Sequence, residues 1–306
     1  MIIHFSNSLP EQILGIIKKN FSQIIFFTFW GSSVYVIHHI LGVKEVEVPL
    51  AAISIIGGGL AFFLAFRNNS AYDRWWEARK IWGGIVNISR TFAGYVTNFP
   101  LETSQNDKEQ IIRRHAAWIN ALRIQLREQD KWDEVYKWIE NNEVEFYKDK
   151  TNKATHLNNK QLEAIKHLKI DGKIDMFEHQ MMSDCIRQMY ELQGKAERIK
   201  KTTFPFFYTY FTRMFLWVFI LLLPFGLVPV MSWESLPISV VTSFIFFILE
   251  RTGTTTMVPL DRNTSGTPLC GLCRVIEIDI LQQVESKDIP KPYSTKTTKH
   301  GSVFLD

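Results

Sequence analysis

Disulfides are the first thing this sequence cannot build. Its 306 residues include three cysteines, Cys185, Cys270 and Cys273. They give no cross-linked framework and fit a reducing compartment. Neither sign of charge dominates. The formal net charge is +4, and the basic residues are spread out rather than striped, so nucleic acid is a poor partner. No run alternates apolar and polar residues as a strand does, and there is no internal repeat. No Walker motif, GxSxG, HExxH or paired-carboxylate arrangement occurs. Nothing therefore points to an enzyme, and neither a catalytic residue nor a cofactor is expected. The opening stretch, MIIHFSNSLPEQ, lacks a basic segment followed at once by an apolar core, so no cleaved signal peptide is expected.

The absence that organises the chain is local. Residues 21–43 contain no Asp, Glu, Lys or Arg, and residues 49–66 contain none either. Both blocks read as membrane spans, the second slightly short for a ~30 Å hydrocarbon layer. Residues 213–233 and 236–249 form the third and fourth apolar blocks. Phe (23) and Trp (9) are abundant, as expected where helices meet lipid and headgroups. The loop at 44–47 has one Lys and the loop at 231–235 has none. Nearly all other Lys and Arg residues lie in the N-terminus, the long middle and the tail, which places these in the cytoplasm. The expected architecture is all-α and polytopic, a multi-pass cell (inner) membrane protein with four spans and both termini cytoplasmic. Its parts are 1–66 (N-terminal segment and spans one and two), 67–203 (cytosolic helical domain), 204–250 (spans three and four) and 251–306 (cytosolic C-terminal segment).

Ser8-Leu9-Pro10-Glu11 reads as a helix start, opening either an amphipathic surface helix or a plain linker. Nothing at Arg67 reads as a turn, so one helix leaves the bilayer without stopping and runs on until Pro100. Ser104 starts the next helix. Residues 132–147 form a third, 148–160 a connector, 161–168 a short helix and 173–200 one long helix. Residues 252–256 read as a loop, 269–284 as a helix, and the rest as a polar tail.

The second span has two describable faces. Gly57, Ala61 and Ala65 form a small-residue stripe for close helix contact. Gly58, Phe62 and Phe66 lie about 100° away. By spacing alone these rings face lipid or fill a bundle. If copies of the helix surround an axis, the rings instead form a constriction that gates by dewetting. The other candidates have plainer readings. Cys270-x-x-Cys273 has no second pair and no nearby His, and it lies on an apolar helical pattern, so packing is simpler than metal or redox chemistry. His38 and His39 have no partner His in the other spans, which leaves them as interfacial residues.

Residues 66–79, FRNNSAYDRWWEAR, closely resemble the hallmark of prokaryotic bestrophins, an arginine–tryptophan–tryptophan signature just after the second span. Three further matches follow in order. Glu197-Arg198-Ile199 with Phe204-Pro205 and Tyr208 is similar to the family's approach to its third span. Leu223-Pro224-Phe225-Gly226 resembles the third-span motif, and residues 272–279, LCRVIEID, resemble the C-terminal helix.

The resemblance implies a homopentameric ion channel with a hydrophobic neck, a cytosolic vestibule and an exit aperture. Its partners would be other copies of itself, membrane lipid and permeant monovalent ions. In the family the neck ends eight residues before the signature arginine. Counting from Arg74 gives Phe66, Phe62 and Gly58, the last where the family carries isoleucine or a similar residue. The aperture falls at Phe177 by offset from Pro205, with Ile174 and Met181 as one-turn alternatives. Arg67, Asn68, Asn69, Asp73, Arg74, Trp75 and Trp76 form the inner mouth and signature. Arg67 and Arg74 read more simply as partners of carboxylates or helix ends than as pore charges.

Animal bestrophins hold calcium in an acidic cluster after the fourth span. Residues 259–264, PLDRNT, have one carboxylate beside an arginine, too few oxygens for that ion, so no calcium clasp or other metal is expected. Prokaryotic relatives include cation conductors and animal ones conduct anions. The reading leans to monovalent cations, with chloride as the alternative. The rival from a different class is a membrane-anchored helical scaffold or redox subunit without a pore.

Overall fold

The structure is a computed structural model that describes residues 2–5, 9–45, 47–263, 265–294, 296–297 and 302–304. Eleven α-helices are described: α1 (Leu9–Lys19), α2 (Phe21–Tyr35), α3 (Leu50–Asn98), α4 (Gln105–Leu126), α5 (Asp133–Tyr136), α6 (Asn141–Lys148), α7 (Lys153–Ile170), α8 (Met176–Lys201), α9 (Phe206–Met231), α10 (Ser235–Thr256) and α11 (Leu269–Gln283). A π turn, Val36–Ile40, prolongs α2. Strands β1 (Ile2–Phe5), β2 (Lys296–Thr297) and β3 (Ser302–Phe304) join the two chain ends in an antiparallel sheet of order β1-β3-β2. Outside this small sheet the described elements are helical, as the all-α reading expects. Strands of two to four residues are too short to display a period-two pattern.

Two hydrophobic cores share one rod. The first joins Phe27 of α2, Ile53, Leu60 and Leu64 of α3, and Leu216, Phe219 and Leu223 of α9, with Phe244 and Phe247 of α10 against it. The second joins Trp82 and Phe92 of α3 with Ile112, Trp118 and Leu122 of α4, Met189 of α8 and Ile276 of α11. Helix α3 enters both. It has 49 residues, so it is about 73 Å long at 1.5 Å per residue. Its buried positions Ile53, Gly57, Leu60, Leu64, Arg67 and Ala71 recur every three or four residues, which is one helical stripe. The unbroken passage through Arg67 is as the sequence implies.

Leu50–Asn98 and Phe206–Thr256 are two helical runs long and apolar enough to cross a membrane. Only 28% of the most apolar window of the first is buried, unlike the core helix of a soluble protein. The second run is broken at Ser232, whose φ is 50°, and α9 and α10 fold back against each other. Pro224 and Pro229 sit inside α9. Pro229 cannot donate to the carbonyl of Phe225. The Val48 N–H donates to that carbonyl instead, at 3.4 Å, the kind of replacement that lets proline stay in an apolar helix.

Several expected boundaries move. Residues 132–147 hold two short helices, separated where Glu140 turns extended. The connector at 148–160 is mostly α7, because Asn152 caps its start by accepting from the Thr155 N–H at 3.0 Å. Asp175 and Glu178 form a reciprocal capping box, which starts α8 later than expected. The TGTTT run is helical. Thr252, Thr255 and Thr256 donate their hydroxyls to carbonyls four residues back, so packing overrides the weak helix preference of Thr and Gly.

His115 lies in the second core. Its Nε2 is 2.8 Å from Ser89 Oγ, and its ring neighbours Phe92 and Trp118. Burial pushes its pKa down to about 3. An unfolded imidazole titrates near 6.5. Between these values the unfolded chain binds the extra proton, so acid favours unfolding. Stability is full above about pH 6.5 and falls by roughly 1.4 kcal/mol per pH unit toward pH 3. Denaturant titrations at pH 7 and pH 5 should show this loss, and His115→Gln should flatten it. Equal slopes in the two proteins would disprove the assignment.

Candidate functional site

The site is built on the side of α3 that the rest of the chain leaves uncovered. Phe62 and Phe66 are 64% and 56% exposed. One turn apart, their rings meet edge to face with centroids 4.5 Å apart. Ile55 precedes them on the exposed side, and Asn69, Asp73 and Trp76 continue it toward the charged half. A Cβ added at Gly58 would meet nothing within 4 Å. The result is a bare apolar strip at the end of the charge-free block.

Gly57 belongs to the opposite, intrachain side. A Cβ there would lie 2.7 Å from the Phe219 ring. The small stripe of Gly57, Ala61 and Ala65 is therefore not one face. Each four-residue step turns about 40°, and Ala61 and Ala65 end up exposed. This corrects the expected division, with Gly57 packing within the chain and Ala61 and Ala65 bordering the rings.

The signature splits in the same way. Arg67 is buried and its Nη1 lies 3.3 Å from Glu250 Oε1 of α10. Its Nη2 donates to the Glu250 carbonyl. Asn68 Nδ2 donates to the Leu249 carbonyl at 3.1 Å. Gly253 completes this crossing, because a Cβ there would lie 1.9 Å from Asn68 Oδ1. Arg74 donates to the carbonyl of Ile199 near the end of α8, and Trp75 Nε1 to the Ser265 carbonyl at 2.8 Å. These four signature residues clamp α3 to α8, α10 and the segment after α10. Asn69, Asp73 and Trp76 stay on the open side. That Arg67 pairs with a carboxylate agrees with its sequence reading, but which carboxylate, and the need for Gly253, were not read from sequence. The only available signal was an arginine and a glutamate that each end a charge-free block.

On α8, Phe177 is 80% exposed and Met181 also lies open. Ile174 precedes the helix and is buried in the second core at 5% exposure. It does not share their side of the helix, which corrects its place among the alternatives. Asp261 Oδ1 accepts from Lys200 Nζ at 2.9 Å. Among the described residues no group of three or more His, Cys, Asp or Glu is placed to hold a metal ion. Cys273 is buried with its Sγ 3.6 Å from the Ile119 carbonyl, and burial pushes its thiol pKa far up. Cys270 Sγ receives Arg127 Nη1 at 3.2 Å and Arg123 Nη1 at 3.4 Å. His38 Nε2 is 2.9 Å from Glu47 Oε1, which ties the end of α2 to the following loop.

A lipid-compatible helical core, joined through one rigid helix to a charged helical body and carrying an uncovered aromatic strip, defines a helical membrane protein. The family profile described as "Bacterial/Fungal Bestrophin protein" matches residues 11–282, and the chain belongs to the bestrophin family. It is 28% identical over 280 residues to the voltage-dependent anion channel-forming protein YneE of Salmonella typhi, covering 90% of each chain. A relative of the same description from Mesorhizobium japonicum is 27% identical, with 89% and 88% covered. The crystal structure of a bacterial bestrophin homologue from Klebsiella pneumoniae superposes with a TM-score of 0.82 at 23% identity, covering 88% of this chain and 99% of that one. The last likeness speaks for the fold.

Proposed function

We propose that the protein is a passive ion channel, a homopentamer in the cell membrane whose five α3 helices enclose a hydrophobic neck. The observation that carries this reading is the uncovered strip bearing Phe62 and Phe66. A monomer would expose it to lipid beside charged residues, whereas copies around an axis turn the rings toward one another. In this reading the four spans are α2 with its π turn, the first half of α3, α9 and α10. The remaining helices form the cytosolic body, with Phe177 and Met181 offered to an exit aperture. Neither calcium nor another cofactor is assigned to the site.

The permeant ion is taken as a monovalent anion. The earlier lean to cations has no support in the geometry, since the neck positions are uncharged. What supports an anion is that curated relatives are described as anion channel-forming. Purified protein in planar bilayers under asymmetric NaCl should give a reversal potential on the chloride side. A potential at the sodium value would reverse the sign, and a monomeric mass in detergent without current would favour a pore-free scaffold.

A further inference from the structure

A second site lies away from the aromatic strip, between α9 and α10. A cleft of about 390 Å³ is lined by Arg213, Leu216, Trp217, Phe247, Arg251 and Thr254, among others. Its chemistry is graded along the helices. Leu216, Trp217 and Phe247 belong to the charge-free blocks, while Arg213 and Arg251 lie at their cytosolic ends. One end is apolar and the other cationic, which matches an amphiphile standing in one leaflet.

The cationic end is only partly neutralised by the one carboxylate that lines the cleft, Glu250. Arg67 and Arg213 share one carboxylate, Glu250, and Arg251 lines the same cleft. Glu250 already accepts from Arg67 and, at 2.9 Å, from Thr254 Oγ1. Arg213 Nε is 3.7 Å from it, beyond hydrogen-bond reach, and the Arg213 side chain is 56% exposed. Arg251 reaches Asn20 Oδ1, a neutral partner. The Thr254 and Thr255 hydroxyls are engaged by their own helix, so the guanidiniums are the donors facing the cleft. Two cations beside a low-dielectric layer attract an anion strongly, and planar guanidinium forks suit phosphate oxygens.

We propose that this cleft binds the phosphate of an anionic phospholipid through Arg213 and Arg251, with an acyl chain along Trp217 and Phe247. The proposal rests on the membrane reading above, but not on conduction. Basic pockets between helices on the cytoplasmic side are suited to such headgroups, and tryptophan suits the interface.

The test uses full-length protein in phosphatidylcholine nanodiscs titrated with phosphatidylglycerol, with bound lipid read by native mass spectrometry. Wild type should retain phosphatidylglycerol over phosphatidylcholine. Arg213→Gln and Arg251→Gln should each weaken retention roughly fivefold. Arg213→Lys should restore part of it, and Arg187→Gln, on the exposed side of α8, should leave it unchanged. Circular dichroism confirms that each variant folds, and the Lys variant keeps the test open if a Gln variant does not. Equal retention in wild type and the Arg213→Gln/Arg251→Gln double variant would overturn the proposal. So would displacement by millimolar inorganic phosphate, which would show an anion site rather than a lipid site. Current without selective retention would also sink this site while sparing the channel, and retention without current would do the reverse.

Discussion

Replacing Phe62 and Phe66 with alanine should raise ion flux roughly tenfold, the equivalent of lowering the barrier by about 1.4 kcal/mol. Each chain offers two rings, one turn apart and in edge contact, on a face that no other described residue covers. In a ring of copies they would narrow the path and expel water from it. Each alanine removes a phenyl group, widens the path and weakens the dewetting barrier. The single variants should fall between wild type and the double variant. Gly58→Ile tests the same idea in the opposite sense. It adds bulk where a Cβ would meet nothing within 4 Å, and it should lower flux. Flux assays on reconstituted liposomes read all four variants. Unchanged flux throughout would place the constriction elsewhere.

The second large effect is on stability. Arg67→Leu leaves Glu250 buried without its guanidinium, and loss of one partner from a buried pair costs about 3–5 kcal/mol. Arg213 lies 3.7 Å away and can move in as a partner, which favours the lower end of that range. The double variant Arg67→Leu/Glu250→Leu removes both charges. It should recover much of the loss, because an apolar pair avoids the desolvation penalty that the ions carry. Thermal unfolding in detergent, run as a double-mutant cycle, separates these cases. A single variant as stable as wild type would show that the pair does not hold α3 to α10.

The readable and unreadable parts of the sequence differ in kind. Charge-free blocks, the helical stripe from Ile53 to Ala71 and the continuity at Arg67 follow from local chemistry, so the rod was legible. Spacing also puts Phe62 and Phe66 on one side of the helix, but whether that side is open or fills a bundle was not legible from it. The side taken by Gly57 was not legible. It depends on the Phe219 ring, which comes from a helix more than a hundred residues later. Gly253 looked like part of a loop because threonine and glycine are poor helix formers. The approach of Asn68, visible only once α3 and α10 cross, is what makes glycine necessary there. Ile174 failed as an alternative for a related reason. Offset along one helix places it near Phe177, but α8 begins only after it, at the Asp175 cap. Glu250 was read as the end of a span, and beyond the fact that it and Arg67 each end a charge-free block nothing local marks their pairing.

The clamp at Arg67 gives α3 a mechanical character. No proline interrupts the helix, and it is held along its length, by α10 at Arg67 and Asn68, by α8 and the segment after α10 at Arg74 and Trp75, and by the second core beyond Trp82. A stiff bar fixed at several points is a strut, and it sets the position of Phe62 and Phe66 relative to the charged helical body.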